Sequence, residues 1–175
     1  KEYGSLELPS IFVSTDHPSI STLGSQFAGW NIKGESFSAI GSGPARALAL
    51  KPGKIYEEIE YKDTSDRAII ILETEKSPSL GLIQRISKDC HVKPEKLAVI
   101  LTPTTSLVGA IQISGRVLET GIHKLRKMGL DPKTILYAWG CAPIPTTTTR
   151  TARTMKSPGL TGACADGIRT CCGSF

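Results

Sequence analysis

The sequence predicts an α/β (α+β) chain whose most legible part is a β-α-β-α-β unit over residues 67–139. Three observations carry that expectation. "RAIIILET" from Arg67 and "KLAVILT" over Lys96–Thr102 are short, unbroken apolar runs rich in β-branched residues, as in strands buried on both faces. "SPSLGLIQRISKDC" and "TSLVGAIQISGRVLETGIHKLRKM" have helical period and begin with polar caps. "TILYAW" over Thr134–Trp139 closes the unit as a third strand.

The elements follow in order. "IFVST" (Ile11–Thr15) is a short strand. "STDHPSISTLGSQFAGW" is dense in turn formers and reads as a loop with one helical turn at most. "ESFSAI" (Glu35–Ile40) alternates like a strand. "GSGPARALAL" (Gly41–Leu50) is a tight turn into a short helix, which Pro52-Gly53 stops. "IYEEIEY" (Ile55–Tyr61) fits an edge strand or a helix and leans to helix. Ser77 is the expected N-cap of the next helix, with Pro78 at its first position. Thr105–Met128 reads as one long helix. Right-handed crossovers would make the three strands of the unit parallel neighbours. "VKPEKLAVILTP" and "LDPKTILYAWGCAP" echo each other, each a proline, a polar turn and an apolar strand.

Composition limits the function classes. Apolar residues make up 39% and charged residues 21% of 175, as in a soluble globular protein. No apolar run approaches the roughly 18 residues of a membrane span. The start, Lys-Glu-Tyr-Gly, has neither Met nor a signal-peptide pattern, so the chain reads as the interior of a longer product. The net charge of +5 is uneven: residues 141–175 hold four basic groups and one acid, the other residues 17 and 15. No basic stripe with interleaved aromatics points to nucleic acid, although a mild positive surplus favours a small anion. The five cysteines include no C-x-x-C, and His17, His91 and His123 are scattered, so no metal site is expected. A reduced, cytoplasmic protein is the default.

Two stretches carry candidate chemistry. On a single helix at 100° per residue, Leu107, Ile111, Leu118, Ile122 and Leu125 form a core stripe, and Gln112, Arg116, Glu119 and His123 form a polar ridge. Gly109, Gly115 and Gly121 thin this helix, which suits close approach by a backbone, a subunit or a ligand. By spacing alone an Arg–Glu pair at i, i+3 is usually a solvated surface pair. The second stretch is Gly41-Ser42-Gly43-Pro44, whose N–H groups and Arg46 could receive an anion at a helix start, or could simply turn the chain. It is neither G-x-x-x-x-G-K-[ST] nor G-x-G-x-x-G.

Three blocks together, "LPSIFVSTDHPSISTLGSQFAGW", "GSGPARALAL" and "SGRVLETGIHKLRKMG" followed by "ILYAWGCAPIP", resemble the methenyltetrahydromethanopterin cyclohydrolases of one-carbon metabolism. The resemblance covers residues 1–145 and makes this an incomplete part of a two-sub-domain cyclohydrolase fold, with the substrate cleft between the sub-domains. It implies hydrolysis of N5,N10-methenyltetrahydromethanopterin to the N5-formyl compound without metal or redox cofactor. Tetrahydromethanopterin is then the one-carbon carrier, and the full-length assembly a homotrimer. The family's active-site glutamate, with an arginine one helical turn before it, matches Glu119 and Arg116. The resemblance makes Gln112, His123, Asp16 and His17 candidate substrate contacts, with Arg46, Gly41, Ser42 and Gly43 for the anionic tail. The alternative is a non-catalytic anion- or nucleotide-binding α/β module; a structural subunit packed through the Gly-rich helix is a third reading.

Residues 146–175 depart from the resemblance: eight are Thr, and no amphipathic period survives. A shift of reading frame is the expected cause. Threonine codons (ACN) read one base earlier encode Tyr, His, Asn or Asp, and Met-Lys yields a Glu, so the tail would conceal the family's acidic stretch. Lacking its neighbours, such a chain should be poorly soluble or inactive alone.

Overall fold

The computed structural model describes residues 2–3 and 6–145. The tail on which the frame-shift expectation rests lies outside the described residues. The chain forms two compact units, one of Ile20–Pro103 and one that joins the residues up to Ser19 to those from Thr104 onward.

The Ile20–Pro103 unit contains a four-stranded sheet. Its strands β4 (Trp30–Lys33), β5 (Ser38–Ser42), β6 (Ala68–Leu72) and β7 (Leu97–Leu101) lie in that order. β4–β5 and β5–β6 are antiparallel, whereas β6 and β7 are parallel, with Ala68 opposite Leu97 and Leu72 opposite Leu101. The crossover between β6 and β7 is α3 (Leu80–Asp89). Its N-cap is Ser79, which accepts the Leu82 N–H at 3.3 Å, rather than Ser77. Both serines offer the same cap chemistry, so local sequence does not choose between them. Leu82, Ile86 and Cys90 close one face of the sheet over Trp30, Ile32, Ala39, Ala68, Ile70 and Leu72. Burial pushes the Cys90 thiol up to about 11, as suits a packing cysteine.

The Ser/Thr-rich stretch is more ordered than a loop. Ile20–Gln26 forms a wide, π-type helical segment that buries Thr22, Leu23 and Gly24. Close packing explains the glycine: a Cβ at Gly24 would lie 3.3 Å from Ile59 Cδ1. Beside it run the short helices α1 (Ala45–Ala49) and α2 (Gly53–Ile59).

The other unit opens with a short antiparallel pair, β1 (Glu2–Tyr3) and β2 (Leu6–Glu7). Its main sheet pairs β3 (Ser10–Thr15) antiparallel with β8 (Ala138–Pro143), Ser10 opposite Pro143 and Thr15 opposite Ala138. The helices α4 (Leu107–Gly115) and α5 (Val117–Lys127) complete this unit. The expectation of three parallel neighbours is therefore corrected: the third strand joins β3 in the other unit. It also starts at Ala138, because Pro132–Thr134 forms a tight helical turn. The partner β3 lies more than a hundred residues away in sequence, and no local pattern reports such a pairing.

Candidate active site

The expected single helix over Thr105–Met128 is two helices broken at Arg116, which has φ −86° and ψ 14°. The Arg116 N–H donates to the Ile113 carbonyl at 3.1 Å, so the regular i→i−4 ladder is interrupted just after Gly115. The break divides both predicted stripes. Leu118 and Ile122 are buried as expected, but Leu107 and Ile111 on α4 are exposed.

Three small residues hold this junction on the β3–β8 sheet. The buried Ser114 donates its hydroxyl to the Pro143 carbonyl at 2.8 Å. A Cβ at Gly115 would touch Ile11 Cδ1 at 3.5 Å. A Cβ at Gly140 would lie 3.1 Å from Leu118 Cδ2 and 3.4 Å from Val117 Cγ1. Sequence reasoning missed Ser114 and Gly140; the only signal was the proximity of Ser114 to the Arg–Glu pair. Gly140→Val is expected to destabilise the unit by about 1–3 kcal/mol by pushing the first turn of α5 off β8. Denaturant unfolding measures it, and an unchanged midpoint would contradict the packing described.

Glu119 stands in the first turn of α5 and is only 3% exposed. Arg116 donates Nε at 2.9 Å and Nη2 at 2.6 Å, both to Glu119 Oε2. The guanidinium thus fixes one carboxylate oxygen from two directions. Among the described residues both Arg116 bonds go to Oε2, and no hydrogen bond to Oε1 is present. A pair so enclosed is not the solvated surface pair that spacing alone favours.

The remaining candidates in this unit are less closely gathered. His123, one turn after Glu119, is half-buried; Gln112 is half-buried on α4, across the break. Asp16 and His17 follow β3 and are exposed. Burial is the first cause that lowers the His123 pKa from its ordinary 6.5; Glu119 opposes it, while Lys127, Arg126 and Arg116 add to the lowering. With the folded value depressed, the unfolded chain binds the proton first as pH falls. Stability should therefore decline from about pH 6.5 down to the folded value, with no His123 contribution to the slope above that window. His123→Gln is expected to flatten that decline. Unfolding midpoints at about pH 7.5 and about pH 5.5 test this, and equal losses in the two proteins would refute it.

Arg46 and the glycine turn lie in the Ile20–Pro103 unit. Arg46 is 0% exposed. Its Nε donates to the Lys51 carbonyl at 2.8 Å, and its Nη1 to those of Leu23 at 3.1 Å and Ser25 at 3.4 Å. The guanidinium lies 5.3 Å from the Phe27 ring centre and 5.7 Å from that of Tyr56. Tyr56 donates its hydroxyl to the Gly24 carbonyl at 2.6 Å, and burial pushes its pKa up to about 12 against the pull of Arg46. Gly41, Ser42 and Gly43 are buried. Gly43 has φ +99°, and its N–H donates to the Ser25 carbonyl at 2.8 Å. A side chain there would be strained and would press on the Ile69 carbonyl at 3.0 Å. This arrangement gives Arg46 and the turn a structural task, different from the anion contact expected from sequence. The following helix has only five residues.

Comparison with known families bears on the chain as a whole. The family described as Cyclohydrolase (MCH) matches residues 1–159. The chain belongs to this family. Similar proteins named methenyltetrahydromethanopterin cyclohydrolase occur in Methanospirillum hungatei JF-1, at 51% identity over 138 residues (79% of this chain, 44% of that protein). Others are those of Methanococcoides burtonii, at 46% over 139 residues (79% and 43%), and Methanothermobacter marburgensis, at 51% over 138 residues (78% and 43%). This cyclohydrolase-family chain thus spans less than half the length of the relatives it matches. The family match also runs past Pro145, where the block resemblance stops. Among the described residues of this family member, no helix is long and apolar enough to cross a membrane.

Proposed function

We propose that this sequence is part of an enzyme that hydrolyses the methenyl bridge of N5,N10-methenyltetrahydromethanopterin, with Glu119 as the proton carrier and Arg116 as the residue that positions it. The observation that carries the reading is the buried Glu119 carboxylate held at Oε2 alone by two Arg116 donors. The methenyl carbon lies between two nitrogens of an amidinium cation. Water adds to that carbon as Glu119 takes one of its protons, leaving a neutral tetrahedral adduct. Glu119 then delivers the proton to N10, the C–N10 bond breaks, and its electron pair stays on N10. The remaining hydroxyl proton departs as the net H⁺, leaving the N5-formyl product.

One carboxylate can serve both steps because it alternates between base and acid. Its charge also attracts the cationic substrate, so Glu119 must gain more at the transition state than in the ground state. The Arg116 fork supports this by holding one oxygen in place while the other exchanges a proton. The family match supports the pterin as substrate, and the names of the relatives supply its identity. A cytoplasmic homotrimer at full length is part of the same proposal. The anion-binding alternative draws no support from a turn whose Gly43 N–H is already bonded and whose arginine is enclosed.

The test uses a family-length chimera in which this chain's matching segment replaces that of the Methanospirillum hungatei relative. Loss of methenyl-pterin absorbance should follow addition of the chimera. A folded chimera that leaves the absorbance unchanged would rule the proposal out.

A further inference from the structure

Arg116 belongs to neither helix: it follows α4 and precedes α5. Its φ and ψ aim its side chain, and the regular helical ladder does not set them there. Two hydroxyl groups bracket it. On the N-terminal side, the buried Ser114 donates its hydroxyl to the Pro143 carbonyl at 2.8 Å, which ties the last turn of α4 to the end of β8. With the Arg116 N–H on the Ile113 carbonyl at 3.1 Å, this bond fixes the peptide before Arg116. On the C-terminal side, the Arg116 carbonyl accepts from the Thr120 N–H at 2.9 Å and from the Thr120 hydroxyl at 3.1 Å. The first of these is the ordinary bond of a helix start, and the second is additional. In a continuous helix such a threonine back-bond only bends the axis slightly. Here it falls on the residue where two helices meet and whose guanidinium holds Glu119. Two donors on one carbonyl resist rotation of the peptide after Arg116.

We propose that Ser114 and Thr120 are positioning residues for the Arg116–Glu119 pair, holding the backbone on either side of Arg116 so that Nε and Nη2 both meet Glu119 Oε2. The inference rests on the reaction proposed above and adds the groups that keep its acid–base pair aligned. Both residues act through Arg116, and neither is assigned a contact with substrate. The arginine side chain is a long lever, so a small turn of its backbone becomes a large displacement at the guanidinium. Losing one of the two bonds to Oε2 would let the carboxylate swing, and misplacing a reacting group by about 1 Å can cost about 10²-fold in rate.

Ser114→Ala and Thr120→Val in the family-length chimera test this, since each removes a hydroxyl with little change of shape. Each should lower kcat about tenfold and leave KM within about twofold of the parent. Thr120→Ser, which keeps the donor, should restore kcat. In an Arg116→Lys background no fork remains to be aimed, so the same two substitutions should cost less than about twofold. A general loss of stability would lower activity equally in both backgrounds. Losses of about tenfold that persist in the Arg116→Lys background therefore overturn the proposal, as does a Thr120→Ser protein that stays as slow as Thr120→Val. Unfolding midpoints establish which variants are folded. Thr120 is only half-buried, so Thr120→Val carries the test if Ser114→Ala does not fold. Glu119→Gln measured alongside separates two failures. Normal turnover in that protein sinks the reaction proposal itself. Low turnover there, beside unchanged kcat in Ser114→Ala and Thr120→Val, sinks the positioning role alone.

Discussion

Glu119→Gln in the family-length chimera is expected to lower turnover by about 10²–10⁴-fold and to raise KM by a smaller factor, because the charge that attracts the cationic substrate is lost as well. Glutamine has the same shape, and its carbonyl oxygen can still accept from Arg116, but it cannot take a proton from water and return it to N10. The larger loss should therefore fall on the chemical step. Arg116→Lys separates positioning from charge: the ammonium keeps the positive charge but cannot place two N–H groups on Oε2 as the fork does. A smaller fall in turnover is expected for it. Normal turnover in a folded Glu119→Gln protein would refute the proton-carrier role while leaving family membership untouched.

Arg46→Met is expected to destabilise the Ile20–Pro103 unit by at least about 3 kcal/mol. The substitution removes donors to the Leu23, Ser25 and Lys51 carbonyls at once. It also removes the cation beside Phe27 and Tyr56. The Ser25 carbonyl keeps the Gly43 N–H, but the Leu23 and Lys51 carbonyls each lose the Arg46 donor, a desolvation cost that the added thioether cannot offset. Arg46→Lys should rescue little, since a single ammonium cannot follow the planar fork to three separate acceptors. Denaturant unfolding followed by circular dichroism reads the effect. A midpoint within experimental scatter of the parent would mean that the wide turn at Ile20–Gln26 is held by something other than Arg46.

How much of this was legible beforehand differs between the two stretches. "SGRVLETGIHKL" supplied the pair Arg116 and Glu119 through resemblance, at an i, i+3 spacing that permits the contact seen. It did not reveal that the helix breaks between α4 and α5, because a glycine lowers helix propensity without requiring an end. It therefore could not show that Glu119 opens a new helix and is buried there. "GSGPARALAL" gave the turn and the short helix, but not the enclosure of Arg46 by carbonyls of its own unit. A guanidinium near a glycine turn looks the same in sequence whether it faces solvent or three carbonyls of its own unit.

By itself the sequence determined the local elements whose signal is periodic or capped: β6, α3, β7, the turn at Gly43 and the contacting Arg116–Glu119 pair. These depend on side-chain alternation, backbone dihedral preference and one helical turn of spacing, all set by neighbours in the chain. Tertiary structure alone decided that β8 joins β3, that Ser114 and Gly140 seat the broken helix, and that Arg46 is enclosed. Each of these depends on atoms brought together from distant positions, where close packing and burial outweigh local propensity.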